Sequence, residues 1–172
     1  MFDRIARFLQ MMLSQGIKDR VVICQRLLGE KDLPVPRRSK KGDAGFDLYC
    51  AEEKTLAPDE EAWICQGIRV KVPYGSVGMV FPRSSANKVG LHVKIGTIDA
   101  GYTGRMYAGV VNHAKVPVTI KRGDRICQLV PLALFPLMDE SMMEVEEMPN
   151  TERGDSGFGS TGGEVKASAP KQ

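Results

Sequence analysis

Ala62-Trp63-Ile64, Ile68-Arg69-Val70-Lys71-Val72, Pro73-Tyr74-Gly75 and Val77-Gly78-Met79-Val80-Phe81 follow one another between residues 62 and 81, and they decide the fold class. The apolar runs are short and rich in β-branched residues, and the Pro-Tyr-Gly between two of them is turn chemistry. Similar runs extend outward on both sides: Val21–Cys24, Val93–Ile95, Tyr107–Val111, Val116–Ile120 and Ile126–Leu134. Lys41-Gly42-Asp43 and Arg122-Gly123-Asp124 add further turns. No apolar period of helical length lies inside this block. The spacing therefore predicts an all-β sandwich or barrel over residues 21–137 rather than βαβ units.

The flanks read differently. In residues 1–20, Phe2, Ile5, Ala6, Leu9, Met12 and Leu13 recur at intervals of three and four, and Gly16 follows. This predicts a short amphipathic helical extension with a glycine stop. Its apolar face could dock on the domain, on a neighbouring subunit or on another partner; organelle targeting, against which Asp3 and the scarcity of Ser count, and simple disorder are further readings. Residues 138–151 are acidic and Met-rich and read as a linker. At roughly 3.3 Å per extended residue, its about 14 residues reach about 45 Å, far enough to cross onto another subunit. Residues 152–163 form a Gly-rich segment, and 164–172 a disordered end.

With 172 residues, the chain fits one domain plus appendages. Lys+Arg number 24 against Asp+Glu 21, so bulk charge points to no polyanionic partner. Cys24, Cys50, Cys65 and Cys127 form no C-x-x-C pair, and only His92 and His113 accompany them; they read as small core residues rather than a zinc site. That cysteine usage suits a reducing, intracellular compartment. No apolar run approaches the ~18 residues of a membrane span. Arg37, Arg38, Lys40 and Lys41 crowd four cations into five residues, yet no aromatic is interleaved, so a solvated loop is expected rather than a nucleic-acid partner.

Chemistry gathers in five places. Glu152-Arg153-Gly154-Asp155-Ser156-Gly157-Phe158-Gly159-Ser160-Thr161-Gly162-Gly163 sets a guanidinium, a lone aromatic and hydroxyls among glycines. Concave arrays of backbone N–H groups bind anions, Arg presents a forked donor to phosphate, and Phe158 offers a flat apolar face. Together they suggest a nucleotide lid, with a floppy Gly/Ser tail as the plainer reading. Asp43-Ala44-Gly45-Phe46-Asp47-Leu48 places two carboxylates around a small-residue turn. Pro82-Arg83-Ser84-Ser85 ends a strand as a plausible anion clamp. Gly96-Thr97-Ile98-Asp99-Ala100-Gly101-Tyr102-Thr103-Gly104 puts a carboxylate at a strand end, with an aromatic three residues on. Gly123-Asp124-Arg125-Ile126-Cys127-Gln128 leads a turn into a strand carrying an amide. Taken singly, Asp99 and Asp124 read as turn caps, Tyr102 as a packing residue and Gln128 as an edge-strand side chain.

In order and spacing these five segments resemble the five motifs of trimeric deoxyuridine triphosphate nucleotidohydrolases, the dUTPases, from about Val21 to Gly162. The resemblance implies a jelly-roll β-barrel subunit of a homotrimer whose active sites draw on all three chains. It implies hydrolysis of dUTP to dUMP and pyrophosphate by water attack on the α-phosphorus, which keeps uracil out of DNA and supplies dUMP for dTMP synthesis. Asp99 would be the general base. Arg83, Ser84, Ser85 and Gln128 would bind phosphates, and Tyr102 would pack on the deoxyribose. The strands around Val93 and Tyr107 would read uracil through backbone groups. Arg153 would reach the γ-phosphate, Phe158 would stack over uracil, and Gly159, Ser160 and Thr161 would close on the phosphates. Asp47 would act through water on a Mg2+ held mainly by the triphosphate. Two places depart from the pattern: Phe46 stands where tyrosine is common, and Thr103-Gly104-Arg105 follows Tyr102 where many relatives carry a basic or polar residue and then an acidic or amide one.

Two other readings remain open here. A dCTP deaminase of the same fold would want a glutamate ten residues after the aspartate, and Gly109 stands there. A non-catalytic regulatory homologue would be expected to lose the base or the lid, and neither is missing.

Overall fold

A computed structural model of the chain describes residues 21–134, 142, 144–149 and 151. The expected helix over 1–20, part of the linker, the Gly-rich segment and the end of the chain lie outside the described residues.

Ten strands and one short helix make up the block. They are β1 (Ile23–Arg26), β2 (Phe46–Asp47), β3 (Lys54–Leu56), β4 (Glu61–Lys71), β5 (Ser76–Pro82), α1 (Ser84–Lys88), β6 (Leu91–Val93), β7 (Gly96–Ile98), β8 (Arg105–Asn112), β9 (Val118–Ile120) and β10 (Cys127–Ala133). One four-stranded sheet has the order β1-β4-β8-β6, a second β2-β10-β5-β7, and β3 pairs with β9. Every pairing is antiparallel. The architecture is the jelly-roll β-barrel. No helix among the described residues is long and apolar enough to cross a membrane.

Both sheets feed one core. Ile64, Ile68 and Val70 of β4 and Met106, Ala108 and Val110 of β8 join Val80 of β5 and Leu129 of β10. The alternation behind this is visible along β8, where Met106, Ala108 and Val110 are buried and Arg105 and Tyr107 exposed. At about 25 cal/mol per Å2 of apolar surface, each large core side chain contributes about 2 kcal/mol.

Where sequence suggested two strands at 62–64 and 68–72, the structure has the single β4. The register against β8 shifts between Cys65 and Arg69, and Gly67 takes φ +65° there. A left-handed residue inside a strand is affordable only for glycine, so Gly67 lets one strand absorb extra residues and stay paired. The run Val93–Ile95 divides the other way: β6 ends at Val93 in one sheet, and β7 begins at Gly96 in the other. Gln128 is no edge residue, because β10 lies between β2 and β5. Cys50 and Cys127 are buried as expected, whereas Cys24 and Cys65 are only half-buried.

Asn112 pins the far end of β8 without any signal in the sequence. Fully buried, its Nδ2 donates to the carbonyls of Leu56, Ala57 and Val116 at 3.0–3.1 Å, and its Oδ1 accepts from the Ala114 amide at 2.9 Å. A buried amide pays for its desolvation only by filling its bonds this way.

Candidate functional site

The chain leaves one sheet through Lys94-Ile95, runs β7 in the other, and returns through Asp99–Gly104 into β8. An open cleft of about 640 Å3 lies along this crossing, lined by Trp63, Lys94, Thr97, Asp99, Tyr102 and Tyr107 among others. Asp99 is the one acid among its lining residues, and its carboxylate is exposed at the end of β7. The Tyr102 amide donates to the Asp99 carbonyl at 3.1 Å, closing the turn, and Gly101 at φ +94° lets it close. The Tyr102 hydroxyl donates to the Arg105 carbonyl at 2.8 Å, which ties the ring across the turn. Gly104 makes room for it, since a Cβ there would sit 2.3 Å from the hydroxyl oxygen. Val93 is fully buried and is not among the residues lining this cleft, whereas Tyr107 is half-exposed and lines it. The Lys94 amide donates to the Gly109 carbonyl at 2.8 Å, and the Lys94 ammonium pairs with Glu61.

A second cleft of about 340 Å3 gathers Ser39, Lys40, Asp43, Gly45, Asp47, Arg83 and Gln128. Arg83 stands at the N-cap position of α1 in extended conformation, so β5 ends and α1 begins around the guanidinium. Ser84 and Ser85, expected to end a strand, instead open the helix, with exposed side chains. Gln128 lies opposite both Asp47 of β2 and Phe81 of β5 in the ladder. Gly45 lets the amide lie close: a Cβ there would fall 2.5 Å from Gln128 Oε1. Asp47 is buried, and its carboxylate takes Arg83 Nε at 2.8 Å, Arg125 Nη1 at 3.0 Å and the Ser39 hydroxyl at 3.1 Å. Asp124 caps its turn as expected, accepting from the Lys121 amide at 2.8 Å. Arg38 lies 4.6 Å over the Phe46 ring, so the basic loop does meet an aromatic, through the fold rather than through its own sequence.

These two clefts share no lining residue. The structure thus brings Asp99, Tyr102 and Tyr107 together, and separately Arg83, Gln128 and Asp47. Arg153, Phe158, Gly159, Ser160 and Thr161 lie outside the described residues. Sequence reading missed Trp63, Lys94, Ser39 and Arg125 as neighbours of the site. Trp63 is the chain's one tryptophan and is exposed, which is the signal that could have marked it.

The donors suit a Mg2+ that arrives already bound to a ligand. Mg2+ keeps several waters and prefers one or two carboxylates together with phosphate oxygens. Among the described residues no group of three or more His, Cys, Asp or Glu is placed to hold a metal, and the Asp47 oxygens are already taken by guanidinium and hydroxyl groups.

A family model described as dUTPase matches residues 31–162. The deoxyuridine 5'-triphosphate nucleotidohydrolase of Mycobacterium tuberculosis strain H37Rv is 44% identical over 137 residues, covering 76% of this chain and 89% of that protein. The corresponding protein of Mycolicibacterium vanbaalenii is 42% identical over 140 residues, or 78% of this chain and 91% of its own length. Among solved structures, Staphylococcus bacteriophage 80alpha dUTPase with dUPNHPP superposes with a TM-score of 0.75 at 29% identity, over 83% of this chain and 99% of that one. A mutant dUTPase from phage phi11 of S. aureus, described as coordinating a structural Mg(II) ion, gives 0.65 at 26% identity over 74% and 100%. With most of its length matched by the family model and by relatives above 40% identity, this chain belongs to the dUTPase family.

Proposed function

We propose that this chain hydrolyses dUTP to dUMP and pyrophosphate, with Asp99 as the base for a water attacking the α-phosphorus. The observation that carries the reading is the single carboxylate at the end of β7, in a cleft with a ring fixed beside it. One carboxylate within hydrogen-bond reach of a water is what such a hydrolysis needs. Tyr102 packs on the deoxyribose and excludes a 2′-hydroxyl, and the backbone around Val93 and Tyr107 reads uracil. Arg83, Ser84, Ser85 and Gln128 hold the phosphates, and forked, pre-placed donors stabilise charge as pyrophosphate leaves. Mg2+ carried by the triphosphate would supply further charge neutralisation, and any contribution of Asp47 would pass through water, since Arg83, Arg125 and Ser39 already engage its carboxylate. Arg153, Phe158, Gly159, Ser160 and Thr161 close over the substrate and exclude bulk water.

The working unit is a homotrimer with shared sites. What supports this is the separation of the base-bearing cleft from the phosphate cleft within one chain, together with Trp63, Ile95 and Tyr107 exposed beside the former. A site joining the two clefts draws them from different copies, and the Gly-rich segment comes from a copy as well. Residues 1–20 offer a further contact. A deaminase reading is disfavoured by Gly109, which offers no carboxylate at the position where that activity wants a glutamate.

The test is pyrophosphate release from dUTP compared with dTTP, dCTP and UTP, with and without Mg2+. Release from dUTP alone among the four is expected. An assembled protein that leaves dUTP intact in magnesium buffer, or that releases ammonia from dCTP, sinks the reading.

A further inference from the structure

The phosphate cleft holds a carboxylate that is consumed inside the protein. Asp47 is 7% exposed. Its Oδ1 is ion-paired with Arg83 Nε at 2.8 Å, and its Oδ2 accepts from Arg125 Nη1 at 3.0 Å and Ser39 Oγ at 3.1 Å. Arg125 grips Arg83 a second time, because its carbonyl accepts from Arg83 Nη1 at 3.1 Å. The next carbonyl along, that of Ile126, accepts from the Arg83 amide at 2.8 Å. A guanidinium has five N–H donors. With Nε facing Asp47 and one donor of Nη1 committed, no hydrogen bond to a described residue takes the donors of Nη2 or the second on Nη1.

Two physical consequences follow. A free arginine loses rotamer entropy when it grips a ligand, so fixing it beforehand removes that cost from binding. Charge is the second. Asp47 with Arg83 alone would be a neutral pair and would blunt the cleft's pull on a polyanion; Arg125 leaves the triad at net +1. The carboxylate can then aim Arg83 without cancelling it.

We propose that Arg125 is a positioning residue for phosphate binding. Through Asp47 and through its own carbonyl it holds Arg83 in the orientation that receives the triphosphate, with Ser39 as a lesser support. This rests on the reading of Arg83 as a phosphate ligand given above.

The experiment is a double-mutant cycle read on two ligands: the non-hydrolysable triphosphate dUPNHPP and deoxyuridine, which has no phosphate. Arg125→Gln should weaken dUPNHPP about tenfold and leave the deoxyuridine inhibition constant unchanged, and Arg83→Gln should weaken dUPNHPP about thirtyfold. Because Arg125 acts through Arg83, the double variant should bind no worse than Arg83→Gln alone, within about twofold. Arg125→Lys should recover part of the loss, since its ammonium still reaches for Asp47. Equal weakening of both ligands would mark Arg125 as a general structural staple and overturn the proposal, as would additive losses. If Arg125→Gln does not fold, Arg125→Lys and Ser39→Ala go through the same cycle under the same criteria. Wild-type protein that neither binds dUPNHPP nor releases pyrophosphate would refute the phosphate-site reading and this inference with it. An active wild type with normal dUPNHPP affinity in Arg125→Gln would refute the inference alone.

Discussion

The Asp99–Gly104 turn and the Arg83–Asp47–Gln128 cleft are built on opposite principles. In the turn the key carboxylate is exposed, and order comes from backbone: one amide-to-carbonyl bond, a left-handed Gly101 and a ring tethered to the Arg105 carbonyl. In the cleft a buried carboxylate organises side chains, and order comes from ion pairs anchored to three separate segments. A group that binds charge gains from being fixed in advance. A group that takes a proton from water must instead stay open to that water. On the proposed reading, the chain would hold its phosphate donors rigid and leave Asp99 open until substrate covers it.

Four experiments press on this contrast. The largest expected effect is on the turn. Asp99→Asn should cut turnover at least about a hundredfold, ~2.7 kcal/mol of barrier, with dUPNHPP affinity nearly unchanged; near-normal turnover, or an affinity that falls in step, would erase the division of labour.

The cleft's frame should answer to alkali. Burial pushes the Cys50 thiol up to about 12 and pushes Cys127, at the start of β10, up as well. These thiols flank the strand ends that carry Asp47 and Gln128: the Leu48 amide donates to the Cys127 carbonyl and the Cys50 amide to that of Asp124. Unfolded thiols ionise from about pH 8.5, whereas the folded ones stay protonated until much higher, so the folded state holds the extra protons. The contribution is intact below pH 8.5 and is lost as pH rises toward 12, at up to about 1.4 kcal/mol per pH unit for each thiol. Melting temperature should fall steeply between pH 9 and 10.5, and Cys50→Ala should flatten that slope. An unchanged slope in the variant would assign the loss to other groups.

Gly104→Ala should displace the Tyr102 ring, because the new methyl would sit 2.3 Å from its hydroxyl oxygen. Discrimination of dUTP against UTP, read as the ratio of kcat/KM values, is expected to fall about tenfold. A ratio that holds would detach Tyr102 from sugar selection.

The smallest effect belongs to Gly45→Ala, whose methyl meets the movable end of Gln128 at 2.5 Å. Triphosphate affinity should drop about threefold, with deoxyuridine binding unaffected. Comparable losses for both ligands would show that this cleft and the Asp99 cleft do not divide triphosphate from nucleoside binding.

Much of this was written locally. Short apolar runs such as those of β5 and β8, with Pro73–Gly75 between β4 and β5, marked an all-β block because strand propensity and turn chemistry depend on near neighbours. Asp99 and Tyr102 were legible as a pair because three residues of one turn join them, and Asp124 as a cap for the same reason. The resemblance of the five segments to dUTPase motifs carried the family, which the comparisons bear out.

What sequence left undecided depends on residues far apart in the chain. Nothing in Ser39, Asp47, Arg83 or Arg125 alone says that they meet; β2 and β5 must first flank β10 for one carboxylate to lie between two guanidiniums. The same holds for Asn112, whose bonds reach residues 56 and 57, and for Trp63 at the edge of the Asp99 cleft. Local pattern determined the strands, the turns and the type of chemistry, since propensity and periodicity act over a few residues. Only the tertiary structure decided which charges are buried together, because desolvation and ion pairing depend on what the completed fold sets side by side.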